Sequence, residues 1–311
     1  MTDQLYLWPE DQPGDRLSWS VSKDRRLKDC LRKYYLQHYV SHGGGGANAS
    51  PESREAYLLK YLRNRHMWVG EIVHEMVELA LGAFRRGDSV AVDALVERGT
   101  RRMRAQYAES IQGVYRDRPA QACGLIEHEY REEVSRAEWK RQRDRMEQCV
   151  RHFFALELVT KLQHTPPWRW LAVEALSSFD LDGATILVKP DFAWRDDGER
   201  VAVVDWKTGK PRPEEEKQQL AIYGLYARKA WGRAGDHLVG TVVHLEPGES
   251  TTFDVDEADL AAAEATIRAS VKEMRALHSE ALAVPLAWVR FPMTDDLATC
   301  GYCAFRRLCS R

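Results

Sequence analysis

Apolar positions in this chain recur at two different spacings, and the changeover falls near residue 165. From about 52 to 160 they return every three or four residues, as in Trp68, Ile72, Val73, Met76, Val77 and Leu79, which predicts helices and almost no strands. The paired prolines of HTPPWRW end that pattern. Beyond them LAVEALSSFDL, ATILVKPDFAW and RVAVVDWK are separated by the turn sequences LDG and RDDG, which predicts three antiparallel strands in a meander. A helix through EEEKQQLAIYGLYARKAW follows, then two strands, LVGTVVHLE and TTFDVD, and a last helix over roughly 256–279. No internal repeat is visible.

At the other end, SWSVSKDRRLKDCLRKYYLQHYV (18–40) opens on hydroxyl residues suited to capping and continues as a basic, aromatic helix. The HGGGGANASP that follows is a loop sequence. Four parts result: an N-terminal segment (1–50), a helical block (51–165), a strand-rich core (166–280) and a cysteine-bearing C-terminal segment (281–311).

Composition adds limits. A chain of 311 residues, 44% apolar with 10 tryptophans, supplies a substantial core. Its formal charge of -2 balances 45 basic against 47 acidic residues, so a site for a polyanion must come from local segregation of charge. MTDQLYLWPEDQPGD is acidic and lacks an apolar run, and no stretch approaches a membrane span, so the expectation is a soluble, cytoplasmic protein with no membrane partner. REEVSRAEWKRQRDRMEQCVR mixes both charges and predicts a salt-bridged helix.

The candidate chemistry lies where VAVVDWK ends. Strand alternation puts Asp205 and Lys207 on one side and Trp206 on the other. Folding the chain at RDDG brings Asp191 within a couple of residues of Asp205. Two carboxylates so close need a cation or a proton between them, and hard oxygen ligands favour magnesium or manganese. A second group is thiol-based: Cys300-x-x-Cys303-x5-Cys309 needs a fourth ligand, and Cys30 is available. By spacing alone zinc is the better default. Cys123 and Cys149, inside the helical block, are expected to be buried or idle thiols.

Pro190-Asp191 followed by Asp205-Trp206-Lys207 is the P-D...D-x-K pattern, and on it the chain resembles the PD-(D/E)XK nuclease superfamily. WVGEIVHEMVE, with His74, resembles the G-x-x-x-H helix of the RecB-like branch, and QLAIY, with Gln219 and Tyr223, resembles that branch's Q-x-x-x-Y motif. One departure is Val188, where the family commonly has glycine.

The resemblance implies a restriction-endonuclease-like α/β core, a mixed central sheet flanked by helices, with a large helical insertion. It implies hydrolysis of DNA phosphodiesters with Mg2+ or Mn2+ held by His74, Asp191, Asp205, the Trp206 carbonyl and Glu174. Lys207 would orient or activate the water, with Gln219 and Tyr223 completing the catalytic group. Products would carry 5'-phosphate and 3'-hydroxyl ends. For the thiols it reverses the ranking: Cys30, Cys300, Cys303 and Cys309 would hold a [4Fe-4S] cluster stapling the two ends of the chain, with zinc as the alternative.

The implied partner is DNA, single-stranded or with free ends, in repair, recombination or antiviral and CRISPR-type defence. Arg25, Arg26, Lys28, Arg32 and Lys33 with Tyr34 and Tyr35 would follow a single strand by phosphate contact and stacking, or form a solvated helix face. No G-x-x-x-x-G-K-[ST] sequence is present, so unwinding would fall to a helicase or other DNA-processing subunit. The rival reading is a non-catalytic DNA-binding or assembly subunit with a structural metal cluster.

Overall fold

The computed structural model describes residues 17–198, 200–232, 238–283 and 287–309. The acidic sequence MTDQLYLWPEDQPGD, expected above to be no secretory signal, lies outside them. In chain order the strands are β1 (Ser18–Trp19), β2 (Trp170–Val173), β3 (Ser177–Leu181), β4 (Ala184–Val188), β5 (Phe192–Arg195), β6 (Val201–Lys207), β7 (Leu238–His244) and β8 (Glu249–Val255). The helices are α1 (Val21–Asp29), α2 (Leu31–Tyr35), α3 (Pro51–Lys60), α4 (Arg65–Arg85), α5 (Val92–Gln112), α6 (Ile126–Glu129), α7 (Arg136–Ala155), α8 (Glu157–Gln163), α9 (Pro213–Trp231), α10 (Glu257–Ala283) and α11 (Leu297–Gly301). None of these helices is long and apolar enough to cross a membrane.

The main sheet runs β2-β5-β6-β7-β8, and a small sheet runs β1-β4-β3. Only β6 and β7 pair in parallel within the main sheet, joined through α9; its other pairs are antiparallel. Such a parallel pair needs helices on both faces, and β6 shows why its sequence reads as a continuous apolar run. Ala202, Val204 and Trp206 pack into a core shared with α4, α5, α7 and α8, whereas Val201 and Val203 pack into a core shared with α9 and α10. A third core joins Leu36, Leu59 and Ile126 to Cys303 and Phe305 near the C-terminus. The mixed sheets flanked by helices fit the expected restriction-endonuclease-like architecture.

The predicted meander is corrected. LAVEALSSFDL is two strands, β2 and β3, in different sheets, because the chain turns sharply at Glu174, whose φ is 46°. ATILVKPDFAW likewise divides at Lys189–Pro190, where proline cannot donate to a ladder. What survives is two hairpins. Leu181 and Ala184 pair across a two-residue loop, Asp182–Gly183, with φ of 47° and 76°, the left-handed pair that an Asp-Gly turn supplies. Phe192 pairs with Val204 in the second hairpin.

The helix expected over 18–40 is also corrected. Ser18–Trp19 is a strand on β4, and the helix breaks at Cys30, which is extended (φ -167°) and caps α2. Tertiary contacts explain the break: Arg32 donates to the carbonyls of Phe291 and Trp288 and stacks on the Trp288 ring, and its backbone N–H bonds Pro292 O. The salt-bridged helix is present as α7, with Lys140–Asp144, Arg141–Glu138 and Arg151–Glu147 along its surface.

Candidate active site

At the wet end of β6, Lys207 Nζ lies 2.6 Å from Asp205 Oδ2. The β5–β6 register of Phe192 with Val204 sets Asp191 beside Asp205, and Asp191 Oδ2 accepts a 2.7 Å hydrogen bond from the Trp206 N–H. Trp206 itself points away, buried against Phe153 of α7. Because Lys207 O accepts from Leu245 on the β7 side, the neighbouring Trp206 carbonyl faces the β5 side, toward Asp191.

His74 reaches this edge from α4. Its Nδ1 is 3.0 Å from Glu174 Oε1 and 3.7 Å from Asp191 Oδ1. Ligand atoms of His74, Glu174 and Asp191 all lie within 4.8 Å of one another. Glu174 is not the solvent-facing strand residue that its sequence position allows; it is 3% exposed, and the turn at its positive φ aims it inward. Its second oxygen lies 2.6 Å from Lys189 Nζ, a site residue the sequence reading missed although it stands two residues before Asp191 in VKPD.

From α9, Gln219 and Tyr223 converge on the same edge. Gln219 Oε1 accepts from Lys207 Nζ (2.9 Å), and its amide nitrogen donates to Asp205 Oδ1 (3.1 Å) and Tyr223 OH (2.7 Å). Tyr223 OH donates to Lys189 O at 3.2 Å. Burial, with Asp205 and Asp191 nearby, holds the Tyr223 phenol well above its usual pKa, so it remains a neutral donor.

The electrostatics call for a cation. Burial disfavours the charged His74 imidazole, but the Asp191, Glu174 and Asp205 carboxylates outweigh it and raise its pKa to about 9. Burial, then Glu174 and Asp205, pushes Asp191 above the usual carboxylate range. Glu174 is buried too, yet His74 and Lys189 hold its carboxyl below that range. Asp205 Oδ2 is buried and beside the Lys207 ammonium but accepts no aligned hydrogen bond. An oxygen-rich donor set with one imidazole fits a hard divalent ion.

A model of the PD-(D/E)XK nuclease superfamily matches residues 18–310 of this chain. The chain belongs to that superfamily. No curated protein matches it in sequence. Among solved structures it is similar to one titled "Crystal structure of SSO0001", at 14% identity over 59% of this chain and 91% of that one, with a TM-score of 0.28.

Members of that superfamily are generally metal-dependent nucleases that act on DNA and use Mg2+ or Mn2+. Gly70, the first residue of its G-x-x-x-H helix motif, has a local reason: a β-carbon there would lie 3.0 Å from Thr208 Oγ1, in the turn after Lys207.

Away from that edge, Cys30, Cys300, Cys303 and Cys309 line one small pocket with Lys33, Met293 and Phe305. Cys30 gets there because it sits in the extended break between α1 and α2. Burial raises the Cys309 thiol to about 11, and the thiols of Cys303, Cys30 and Cys300 add to it; burial likewise raises Cys303, with Cys30 and Cys300 contributing. Cys123 and Cys149 are buried elsewhere, in the core under α4 and α7.

In the basic and aromatic stretch the two tyrosines are not open for base stacking. Tyr34 and Tyr35 are buried, with Tyr35 stacked on Phe291. Arg32 is committed to the 288–291 backbone, Arg26 to His38, Arg25 to Glu215 and Lys28 to Asp24. Arg32, Tyr34 and Tyr35 thus help lock the N-terminal segment onto residues 288–291.

Proposed function

We propose that this protein is a DNA nuclease of the RecB-like branch, an exonuclease on single-stranded or end-containing DNA. The observation that carries the reading is the meeting of His74, Glu174 and Asp191 within 4.8 Å beside the Asp205–Lys207 pair. Those three side chains, Asp205 and the Trp206 carbonyl are the groups that would hold Mg2+ or Mn2+. When bound, the ion lowers the pKa of a water and neutralises charge on the phosphoryl oxygens.

The remaining work belongs to this chain's own side chains. Lys207, held between Asp205 and Gln219, presents an ammonium that orients the attacking water and stabilises the charge developing on phosphorus oxygens. Gln219 fixes Lys207 and Asp205 relative to each other with one amide, and Tyr223 anchors that amide to the Lys189 carbonyl. Products carry 5'-phosphate and 3'-hydroxyl ends.

The four pocket thiols are assigned to a [4Fe-4S] cluster, with zinc as the alternative. Four thiols converge there from distant parts of the chain, the pKa values of Cys303 and Cys309 are raised by burial and by their neighbours, and a cationic centre would let them be held as thiolates. The setting is repair, recombination or antiviral defence, with a helicase or other DNA-processing subunit opening the duplex.

The test compares anaerobically purified wild type with Lys207→Ala on end-labelled single- and double-stranded DNA, in Mg2+, Mn2+ or EDTA. Cleavage that needs the metal and falls at least about 100-fold in the variant is expected. No cleavage of either substrate by intact, cluster-loaded wild type replaces this reading with the non-catalytic subunit.

A further inference from the structure

The helical block had no assigned task, and one stripe of α7 supplies it. Arg145, Gln148 and His152 stand at helical spacing and all bond carbonyls where β6 and β7 end. Arg145 donates through Nη2 to Thr208 O and through Nε to Glu246 Oε2 (2.7 Å). Gln148 donates to Glu246 O at 3.1 Å, and His152 Nδ1 lies 2.9 Å from Leu245 O. Arg145 is only 16% exposed, so its fork is held among protein groups.

Thr208 is the residue after Lys207, and its turn is gripped from other directions as well. On the β7 side, buried His244 sits opposite Lys207 in register, with Nδ1 3.3 Å from Gly209 O and Nε2 3.3 Å from Glu216 Oε1. On the α4 side, Gly70 leaves room for Thr208 Oγ1. Glu216 also accepts from the Arg212 N–H at 2.9 Å, tying the turn to the start of α9, the helix that carries Gln219.

We propose that Arg145 is a positioning residue for Lys207: by holding the Thr208 carbonyl it fixes the end of β6, so that the Lys207 ammonium stays between Asp205 and Gln219. The inference rests on the role given to Lys207 above. Arg145 touches neither the metal ligands nor, in this geometry, the reacting atoms. A flexible ammonium on a free strand end would sample many positions, and a misplacement of about 1 Å costs on the order of 100-fold in rate.

The experiment measures kcat and KM on single-stranded DNA, Mn2+ affinity and Tm for wild type, Arg145→Ala, Arg145→Lys and the exposed control Lys140→Ala, each also in the Lys207→Ala background. Expected is a fall of about 10- to 100-fold in kcat for Arg145→Ala, with KM and Mn2+ affinity within about twofold and partial recovery in Arg145→Lys. Lys140→Ala matches wild type. In the Lys207→Ala background, Arg145→Ala adds no further loss, which a general structural defect would not reproduce. An active wild type with unchanged kcat in Arg145→Ala overturns this inference alone. So does a loss that is equal in both backgrounds and includes Mn2+ affinity. An inactive wild type overturns the nuclease reading, and this inference with it.

Discussion

His74 carries the sharpest consequence at the scale of single residues. Its folded pKa of about 9 lies above the ordinary value of 6.5, so its ion pairs stabilise the metal-free fold below pH 6.5 and that stabilisation is lost as pH rises through 9. Asp191 is shifted in the same direction, so its proton too is retained longer in the fold than in the unfolded chain. A divalent ion must displace these protons, and it replaces the charge they supply. The rise in Tm produced by Mg2+ should therefore grow as pH is raised from 6.5 toward 9, and be smaller throughout that range in His74→Ala. Thermal scans with and without the ion test this; an increment in wild type that stays flat with pH would remove His74 from the ligand set.

Elements rather than residues decide how the ligands reach one another. The β3–β4 hairpin closes through Gly183 at φ 76°, and its tip is fastened to α10 by Arg275, which donates to Asp182 O at 2.5 Å. Gly183→Ala should cost about 1–2 kcal/mol of stability, read from urea unfolding, because a β-carbon is disfavoured at that φ; an unchanged midpoint would mean the turn relaxes freely. This turn was legible, since Asp-Gly between apolar runs has one good solution. So were the hairpin joining Asp191 to Asp205, and Gln219 and Tyr223 one turn apart on α9. The inward turn at Glu174 was not, because nothing in VEALSS announces a non-glycine residue at positive φ. Nor was the break at Cys30: KDCLRKYY carries no glycine or proline to mark one, and the docking of Arg32 onto residues 288–291 accounts for it. Lys189 was passed over because long-range charge pairing leaves no periodic mark in a sequence.

Across the whole molecule the cysteine pocket and the sheet edge are lined by different residues. The pocket draws on both ends of the described chain, and Cys303 is part of the core that contains Leu36, Leu59 and Phe305. The proposed cluster would close a loop of most of the chain, and chain-closure reasoning gives about 3–5 kcal/mol for such a tie. Cys30→Ser, purified without oxygen, should lose iron and sulfide and melt several degrees lower, while DNA cleavage per folded molecule persists. Full metal content with an unchanged melting temperature would remove Cys30 from the ligand set. The distribution of the catalytic groups along the chain has a different consequence, in time. Asp191, Asp205, Lys207, Gln219 and Tyr223 lie within the 34-residue separation of Lys189 and Tyr223, whereas His74 stands 100 residues before its partner Glu174. At about 5–20 residues per second of synthesis, a ribosome that has made the histidine helix works for roughly 5–20 seconds before its first carboxylate partner exists. Nascent chains pass that interval without an assembled centre, so any chemistry of this site begins only after the sheet and the helix behind it have been made.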